Sequence, residues 1–251
     1  MTGAEPRSDA TDAPKRGLAR LLPAKADPLT SLALVVPVFL VYHYGILAID
    51  LRNGVDLVSQ ATFALLERSL LAYVAVTLGF AGGLVGAMYL LRRRGTVKPV
   101  ALVPVLVEST VLALGLRLSV GWAAARLTWI PPLATTAHEL GPFEKLVMSA
   151  GAGFHEELVF RVALYGGLAE LARRTREGSA RLGALLAAAR VSSLLFSAVH
   201  YVGALSDPFA LGSFVFRFLA GLYLVTVYEL RGFAVAVYTH TVYDLMVFFS
   251  P

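Results

Sequence analysis

The sequence contains no cysteine. A chain without cysteine forms no disulfide, offers no thiolate to a metal and has no thiol nucleophile, so a sortase-type mechanism is excluded. Charged residues are also scarce, at 16% of the chain compared with about 25% in ordinary soluble domains. The sequence shows no internal repeat and no composition shift that would mark a second domain. These absences leave little chemistry outside His, Asp, Glu, Arg and hydroxyl side chains.

Apolar residues are what the chain has in excess. They make up 57% of its 251 residues, and the mean hydropathy is +0.69. Both values are typical of a polytopic membrane protein, in which each spanning segment satisfies its own backbone hydrogen bonds as a helix. We therefore predict an all-α bundle of about seven transmembrane helices. Their expected ranges are Leu29–Ile49, Ser69–Leu91, Pro99–Trp122, Phe143–Leu171, Leu182–Leu205, Phe209–Leu230 and Phe233–Phe249.

Polar segments surround these apolar runs. Residues 1–28 have no apolar periodicity and are expected to form a disordered tail, which leaves residues 29–251 as one membrane-embedded domain. The charged stretch at 50–68 is expected to be a loop with an interfacial helix. The segment Ala123–Pro142 is expected to be an interfacial loop that contains Trp129, an aromatic residue typical of that depth.

The distribution of positive charge gives an orientation. The net charge is +5, and the basic residues concentrate in the tail, at 92–98, at 173–181 and at Arg231. Every second loop is thus basic, which predicts a cytoplasmic N-terminus by the positive-inside rule and argues against nucleic acid as a partner. We expect an integral, multi-pass cell membrane protein of the bacterial inner membrane, with the lipid bilayer as its surroundings.

Four ionisable residues interrupt the fourth apolar run within seven positions, namely His155, Glu156, Glu157 and Arg161. Each costs roughly 2.5–3.5 kcal/mol at bilayer depth on insertion scales, so such residues usually have a function. Glu157 and Arg161 are one helical turn apart and are expected to form an ion pair. A structural ion pair alone would explain these two residues, but neither Glu156 nor the adjacent His155.

Two later runs add His200, His240 and Asp244, the last two one turn apart on the same helix face. A glutamate and a neutral histidine can bind and deprotonate a water molecule, while a second histidine and an acid can hold an oxyanion. The set Glu156, His200 and His240 would alternatively suit zinc. The zincin helix signature is absent because Val159 stands where its second histidine would be. The serines lack the context of a nucleophile elbow.

Three short motifs resemble those of the CAAX-protease and bacteriocin-processing (Abi) family of intramembrane endopeptidases. They are Glu156-Glu157-x-x-x-Arg161, Phe196-x-x-x-His200 and His240-x-x-x-Asp244, in the family's order within the region 143–249. The resemblance implies that Glu156 and His200 activate water, that His240 and Asp244 make the oxyanion-side contacts, and that Glu157, Arg161 and Phe196 support the site. Asp244 departs from the family, in which Asn is frequent at this position. Because an ionised Asp cannot donate a hydrogen bond, it is expected either to be protonated in its apolar site or to orient His240. We favour a metal-independent, glutamic-type mechanism.

This resemblance makes a membrane-anchored protein or peptide the expected substrate, cut near its C-terminal end. Family members act on prenylated CAAX tails, on bacteriocins or on C-terminal sorting helices. The alternatives are a transporter or proton relay that uses the same buried groups, and a non-catalytic immunity-type protein. His43, His138, Tyr165 and Arg217 are expected to be structural or incidental.

Overall fold

A computed structural model describes residues 27–49, 70–128, 140–202 and 207–250. Within these ranges every regular element is helical and no strand occurs. The helices are α1 (Pro28–Gly45), α2 (Leu70–Leu91), α3 (Leu102–Thr128), α4 (Pro142–Gly151), a π-helical segment (Ala152–Gly166), α5 (Gly167–Thr175), α6 (Gly178–Val199), α7 (Leu211–Arg231) and α8 (Phe233–Phe248). Short 3₁₀ turns at Arg92–Arg94 and Pro99–Ala101 connect α2 to α3. The helical bundle that the composition predicts is confirmed.

Five of the described helices are long and apolar enough to cross a membrane, namely α1, α2, α3, α6 and α7. Two further predicted spans fall outside that group for physical reasons. The run from α4 through the π-helical segment to α5 carries the charged motif, and α8 has only 16 residues. The π-helical segment of this run and the first nine residues of α8 lie inside the bundle, where protein rather than lipid surrounds them, so these parts need no full apolar span.

The first helix begins one residue earlier than expected. Asp27 is its N-cap and accepts a hydrogen bond from the Thr30 backbone N–H at 3.0 Å, and Pro28 occupies the first turn, where its missing N–H costs nothing. Pro28 is therefore helical, although the tail was expected to include it. The rest of the tail, the loop at 50–68 and the Trp129 region fall outside the described residues.

The largest differences from the predicted boundaries are at the ends of the third and fifth helices. The third helix continues to Thr128 rather than ending at Trp122, because Ala123 to Ala125 are good helix formers and the next prolines come only at Pro131 and Pro132. The fifth was expected to reach Leu205, but α6 ends at Val199. There the backbone tightens into a turn, in which the Tyr201 N–H donates to the Ala198 carbonyl at 3.0 Å.

Helix α8 is the centre of the bundle and packs against α1, α3, α4, the π-helical segment and α7. Its first nine residues are all buried. Side chains of surrounding helices bind its N-terminal backbone: the Ser31 hydroxyl accepts from the Ala234 N–H at 2.8 Å, and the Ser109 hydroxyl donates to the Val235 carbonyl at 3.2 Å. These bonds fix both the depth and the rotation of the helix that carries His240.

Glu108 and Arg117, two charged residues of α3, face neighbouring helices. Glu108 pairs with Arg231 at the end of α7, and each side chain is only 15% exposed. Arg117 donates to the Met246 carbonyl of α8 at 3.2 Å. Next to Arg231, Gly232 has a φ of 94° and allows the sharp reversal from α7 into α8.

Candidate active site

The residues of the first motif, Glu156, Glu157 and Arg161, lie on the π-helical segment between α4 and α5. Such winding is rare and is frequently found at functional sites. Gly153 lies against α8, where a Cβ would collide with the Thr241 hydroxyl and would come within 2.9 Å of the Val237 carbonyl oxygen. This close approach brings the two glutamates one turn later against the polar face of α8.

Glu157 joins two helices through its two carboxylate oxygens. Oε2 lies 3.1 Å from the Arg161 Nε, and Oε1 accepts a hydrogen bond of 2.8 Å from the His240 Nδ1. Glu157 and Arg161 are fully buried. The predicted ion pair is therefore confirmed. The hydrogen bond from the His240 Nδ1–H to Glu157 also orients the imidazole ring. As a result, the His240 Nε2 points away from Glu157.

Glu156 faces both histidines. Its Oε2 lies 3.9 Å from the His200 Nε2 and 3.8 Å from the His240 Nε2. The Asp244 Oδ2 lies 3.7 Å from the same His240 nitrogen. The structure thus brings together all four residues that the sequence predicts as catalytic. Each of the three separations is longer than a direct hydrogen bond and short enough for one small ligand to contact both groups.

Phe196 supplies the apolar wall of the cluster. Its ring lies edge-on to those of His200 and His240, with centroid distances of 5.2 and 5.9 Å. The Arg161 guanidinium carbon is 4.2 Å from the centroid of the same ring. Phe196 therefore contacts two of the site histidines and the buried cation, which accounts for an aromatic residue at the start of its motif.

His200 differs from the other site residues in lying just beyond the end of α6. Its Nδ1–H donates to the Phe196 carbonyl at 2.8 Å, which leaves Nε2 directed toward Glu156. Its side chain is 23% exposed, whereas those of Glu156 and His240 are 6% and 7% exposed. The cluster is thus most accessible from the His200 end.

The chain after His200 is held by Arg217 of α7. The Arg217 Nη2 lies 2.5 Å from the Asp207 Oδ2, and its Nη1 donates to the Tyr201 hydroxyl at 2.9 Å. The Asp207 N–H in turn donates to the His200 carbonyl at 2.8 Å. We call Arg217, Asp207 and Tyr201 the Arg217 clamp. The sequence predicts only a structural role for Arg217. Its position among the apolar residues of α7 is the feature that could have indicated a contact with the site.

His155 does not join the cluster. Its ring packs against Tyr42, His43 and Phe154 on the opposite side of the helix, at centroid distances of 4.8, 5.2 and 5.1 Å. His43 shares a hydrogen bond of 2.8 Å with the Tyr73 hydroxyl, in line with the structural part expected of it. His138 lies outside the described residues.

The alternative zinc set was Glu156, His200 and His240. Among the described residues, no group of three or more His, Asp and Glu side chains has the arrangement of a metal site. The nitrogen and oxygen donors of this set are types that bind zinc, but the side chains do not have the tetrahedral arrangement of a zinc site.

The fold and the site define a multi-pass helical membrane protein with a buried carboxylate–histidine cluster. Residues 140–246 match the family model described as type II CAAX prenyl endopeptidase Rce1-like. This region is therefore similar to the CAAX-protease family, which is the resemblance that the three motifs predict. The matched region includes every residue of the cluster. Comparisons with curated proteins and with solved structures give no significant match.

Proposed function

We propose that this protein is an intramembrane endopeptidase that hydrolyses a peptide bond near the C-terminal end of a membrane-tethered protein. The observation that supports this function best is the convergence of the Glu156 carboxylate on the Nε2 atoms of His200 and His240, at 3.9 and 3.8 Å. A water molecule between Glu156 and His200 would contact both groups, and the peptide carbonyl would lie on the His240 side.

In this mechanism Glu156 is the general base. It accepts a proton from the water, and the resulting hydroxide attacks the carbonyl carbon of the peptide bond. The negative charge that develops on the carbonyl oxygen is stabilised by an N–H of His240. Glu156 then returns its proton to the leaving nitrogen as the C–N bond breaks. The products are a new carboxyl group and a free amine, so protons and charge balance.

The neighbouring groups act on His240 rather than on the substrate. Glu157 accepts a hydrogen bond of 2.8 Å from the His240 Nδ1, and the Asp244 carboxyl group lies 3.7 Å from the His240 Nε2. In this mechanism His240 is an imidazolium that donates to the oxyanion. The two carboxyl groups orient its ring and compensate its positive charge. We propose that Asp244 orients His240, a role that suits an acid in a position where Asn is frequent in the family. The proposed mechanism needs no metal ion.

We further propose that the substrate enters from the outer leaflet. The cluster is most accessible at the His200 end of α6, and the charge pattern assigns that end to the outer side of the membrane. A C-terminal anchor helix, as in a sorting signal, would reach the site from there. A prenylated CAAX tail on the cytoplasmic side is the competing substrate.

The test is cleavage in proteoliposomes by the wild type, Glu156→Gln and His200→Ala. Two synthetic substrates are offered: one ends in a small-residue motif followed by an apolar helix, and the other is a prenylated tail. Glu170→Gln is the matched control, because Glu170 lies on the same helical run but is exposed and pairs with Arg174. A chelator arm tests the metal-independent mechanism.

We expect the wild type and Glu170→Gln to cut the anchor-helix substrate with or without chelator. We expect losses of about 10²–10⁴-fold in the other two variants, as is typical when a general base or its partner is removed. Cleavage by Glu156→Gln at the wild-type rate would overturn the assignment of the base. Loss of wild-type cleavage with chelator would turn the mechanism toward a metal, and preference for the prenylated tail would reverse the proposed side of entry.

A further inference from the structure

Helix α6 has one face turned inward and one turned away from the bundle. The inward face is buried and includes Ala188, Ser192 and Ser193. The outward face consists of exposed apolar side chains, namely Leu182, Leu186, Val191, Leu194 and Leu195. In the middle of this outward face lies Arg190, which is exposed as well. A charged side chain thus interrupts a surface that otherwise suits lipid tails.

Arg190 lies near the middle of the span. It is nine residues after Arg181 and ten residues before His200. At 1.5 Å per residue these separations are about 13 and 15 Å along the helix axis, close to half the thickness of a hydrocarbon core of about 30 Å. The arginine side chain is shorter than either distance, so it does not reach the headgroups of an unperturbed bilayer.

Three other arginines of the bundle are paired with carboxylates. Arg161 pairs with Glu157, Arg231 with Glu108, and Arg217 with Asp207. In contrast, no described residue gives Arg190 an ion pair or a hydrogen bond. The carboxylates of these three pairs are already engaged within the bundle, so they are not available to the Arg190 of a second copy.

The surface beside Arg190 also permits close approach of another helix. Gly183 and Ala187 lie two turns and one turn before it on the same face, and nothing lies within 4 Å of the Cβ position of Gly183. Small residues at this spacing let two helix backbones pack closely within a membrane. The outward face of α6 therefore carries small residues that permit close helix contact and, one to two turns further along, a cation without an ion-pair partner in the described part of the chain.

We propose that the outward face of α6 binds a transmembrane helix of another protein, which carries an Asp or Glu at mid-membrane depth that pairs with Arg190. Charge complementarity identifies the partner's chemistry: a carboxylate satisfies the guanidinium in two parallel hydrogen bonds and neutralises it where lipid cannot. This interface lies on the exposed side of α6 and does not depend on the proposed peptidase activity.

The test uses the full-length protein in phosphatidylcholine vesicles and a synthetic Leu/Ala transmembrane helix with a single central Glu. Association is measured by energy transfer between labels on the protein and on the peptide. Peptides with Leu in the centre, or with the Glu moved two turns toward one end, test charge and depth. The variants are Arg190→Leu and, as a matched control, Arg126→Leu, which removes an exposed arginine near the end of α3 that lies over Trp122.

We expect the central-Glu peptide to bind the wild type and Arg126→Leu about tenfold more tightly than the Leu peptide does, and the preference to vanish in Arg190→Leu. Arg190→Leu should fold and insert at least as well as the wild type, because it replaces a lipid-facing charge. Equal binding of the Glu and Leu peptides would overturn the proposal. The proposal would also be overturned if the protein self-associated without any peptide and Arg190→Leu abolished this self-association. It would likewise be overturned if peptide binding depended on added phosphatidylglycerol and not on the Glu of the peptide.

Discussion

Glu156 and Glu157 are neighbours in the sequence, yet they leave the π-helical segment toward different partners. Glu156 faces the Nε2 atoms of both histidines, while Glu157 is fully buried between Arg161 and the Nδ1 of His240. One carboxylate therefore remains near the accessible end of the cluster. The Glu157 carboxylate orients the His240 ring and compensates the charge of Arg161. Replacing Glu156 and replacing Glu157 should therefore have different consequences.

Glu157→Gln should be strongly destabilising, because it leaves the Arg161 guanidinium buried without a counter-ion. Breaking a buried pair in this way typically costs about 3–5 kcal/mol. The double variant Glu157→Gln with Arg161→Met removes the cation as well and should recover most of the stability. It should not recover activity, since His240 no longer donates to a carboxylate, and we expect a loss on the order of a hundredfold.

Thermal unfolding in detergent and cleavage in proteoliposomes separate the two effects. Arg174→Met is the control, because Arg174 is 75% exposed and its ion pair with Glu170 lies at the surface. Full activity in the stable double variant would show that Glu157 contributes to stability and not to catalysis.

At the scale of elements, the contact between the π-helical segment and α8 determines the geometry of the cluster. Gly153→Ala places a methyl group against the Thr241 hydroxyl, and within 2.9 Å of the Val237 carbonyl oxygen and 3.0 Å of the Thr241 nitrogen. Backbone atoms of a central helix cannot yield easily, so the two helices must move apart. We expect a loss of about 1–3 kcal/mol in stability, together with reduced cleavage.

Gly82→Ala is the matched control, since nothing lies within 4 Å of its Cβ position. It should leave both thermal stability and cleavage close to those of the wild type. If Gly153→Ala unfolds at the same temperature as Gly82→Ala, the close packing of these helices does not stabilise the protein.

The Arg217 clamp acts between elements, because it joins α7 to the turn that follows α6. Arg217→Met keeps the length of the side chain but releases Asp207, whose N–H holds the His200 carbonyl at 2.8 Å. We expect kcat to fall roughly tenfold with little change in KM, because the substrate-binding surface is intact while His200 is less well oriented. Arg173→Met, which breaks a partly exposed pair with Glu229, is the control. A drop in stability with unchanged kcat would limit the clamp to a structural role.

The sequence alone was enough to predict contacts within one helix. Glu157 with Arg161 and His240 with Asp244 are four residues apart, and helical periodicity brings such pairs together. The contact between Glu157 and His240 depends instead on how α8 is rotated against the π-helical segment. That rotation is set by Gly153, Ser31 and Ser109, whose roles no local pattern reveals. The early end of α6 was missed for a similar reason, since the Asp207 N–H that binds the His200 carbonyl comes from beyond the predicted end of the helix.

At the scale of the whole molecule, the orientation in the membrane decides which leaflet supplies the substrate. The basic residues at 92–98, at 173–181 and at Arg231 lie at or next to the C-terminal ends of α2, α5 and α7. An odd number of predicted crossings separates each of these ends from the loops that carry few basic residues. The positive-inside rule assigns these basic segments to the cytoplasm. The His200 end of α6, one crossing after Arg176, is then on the outer side.

Because the chain has no cysteine, single-cysteine labelling tests this orientation without any background substitution. Arg176→Cys and Val202→Cys place an exposed thiol on either side of α6; Val202 is 73% exposed. A membrane-impermeant maleimide should label Val202→Cys in right-side-out vesicles and Arg176→Cys in inverted vesicles. Labelling of both from one side would mean that α6 does not cross the bilayer. Labelling with the two sides exchanged would invert the topology, and the accessible end of the cluster would then face a cytoplasmic prenylated tail rather than an anchor helix from the outer leaflet.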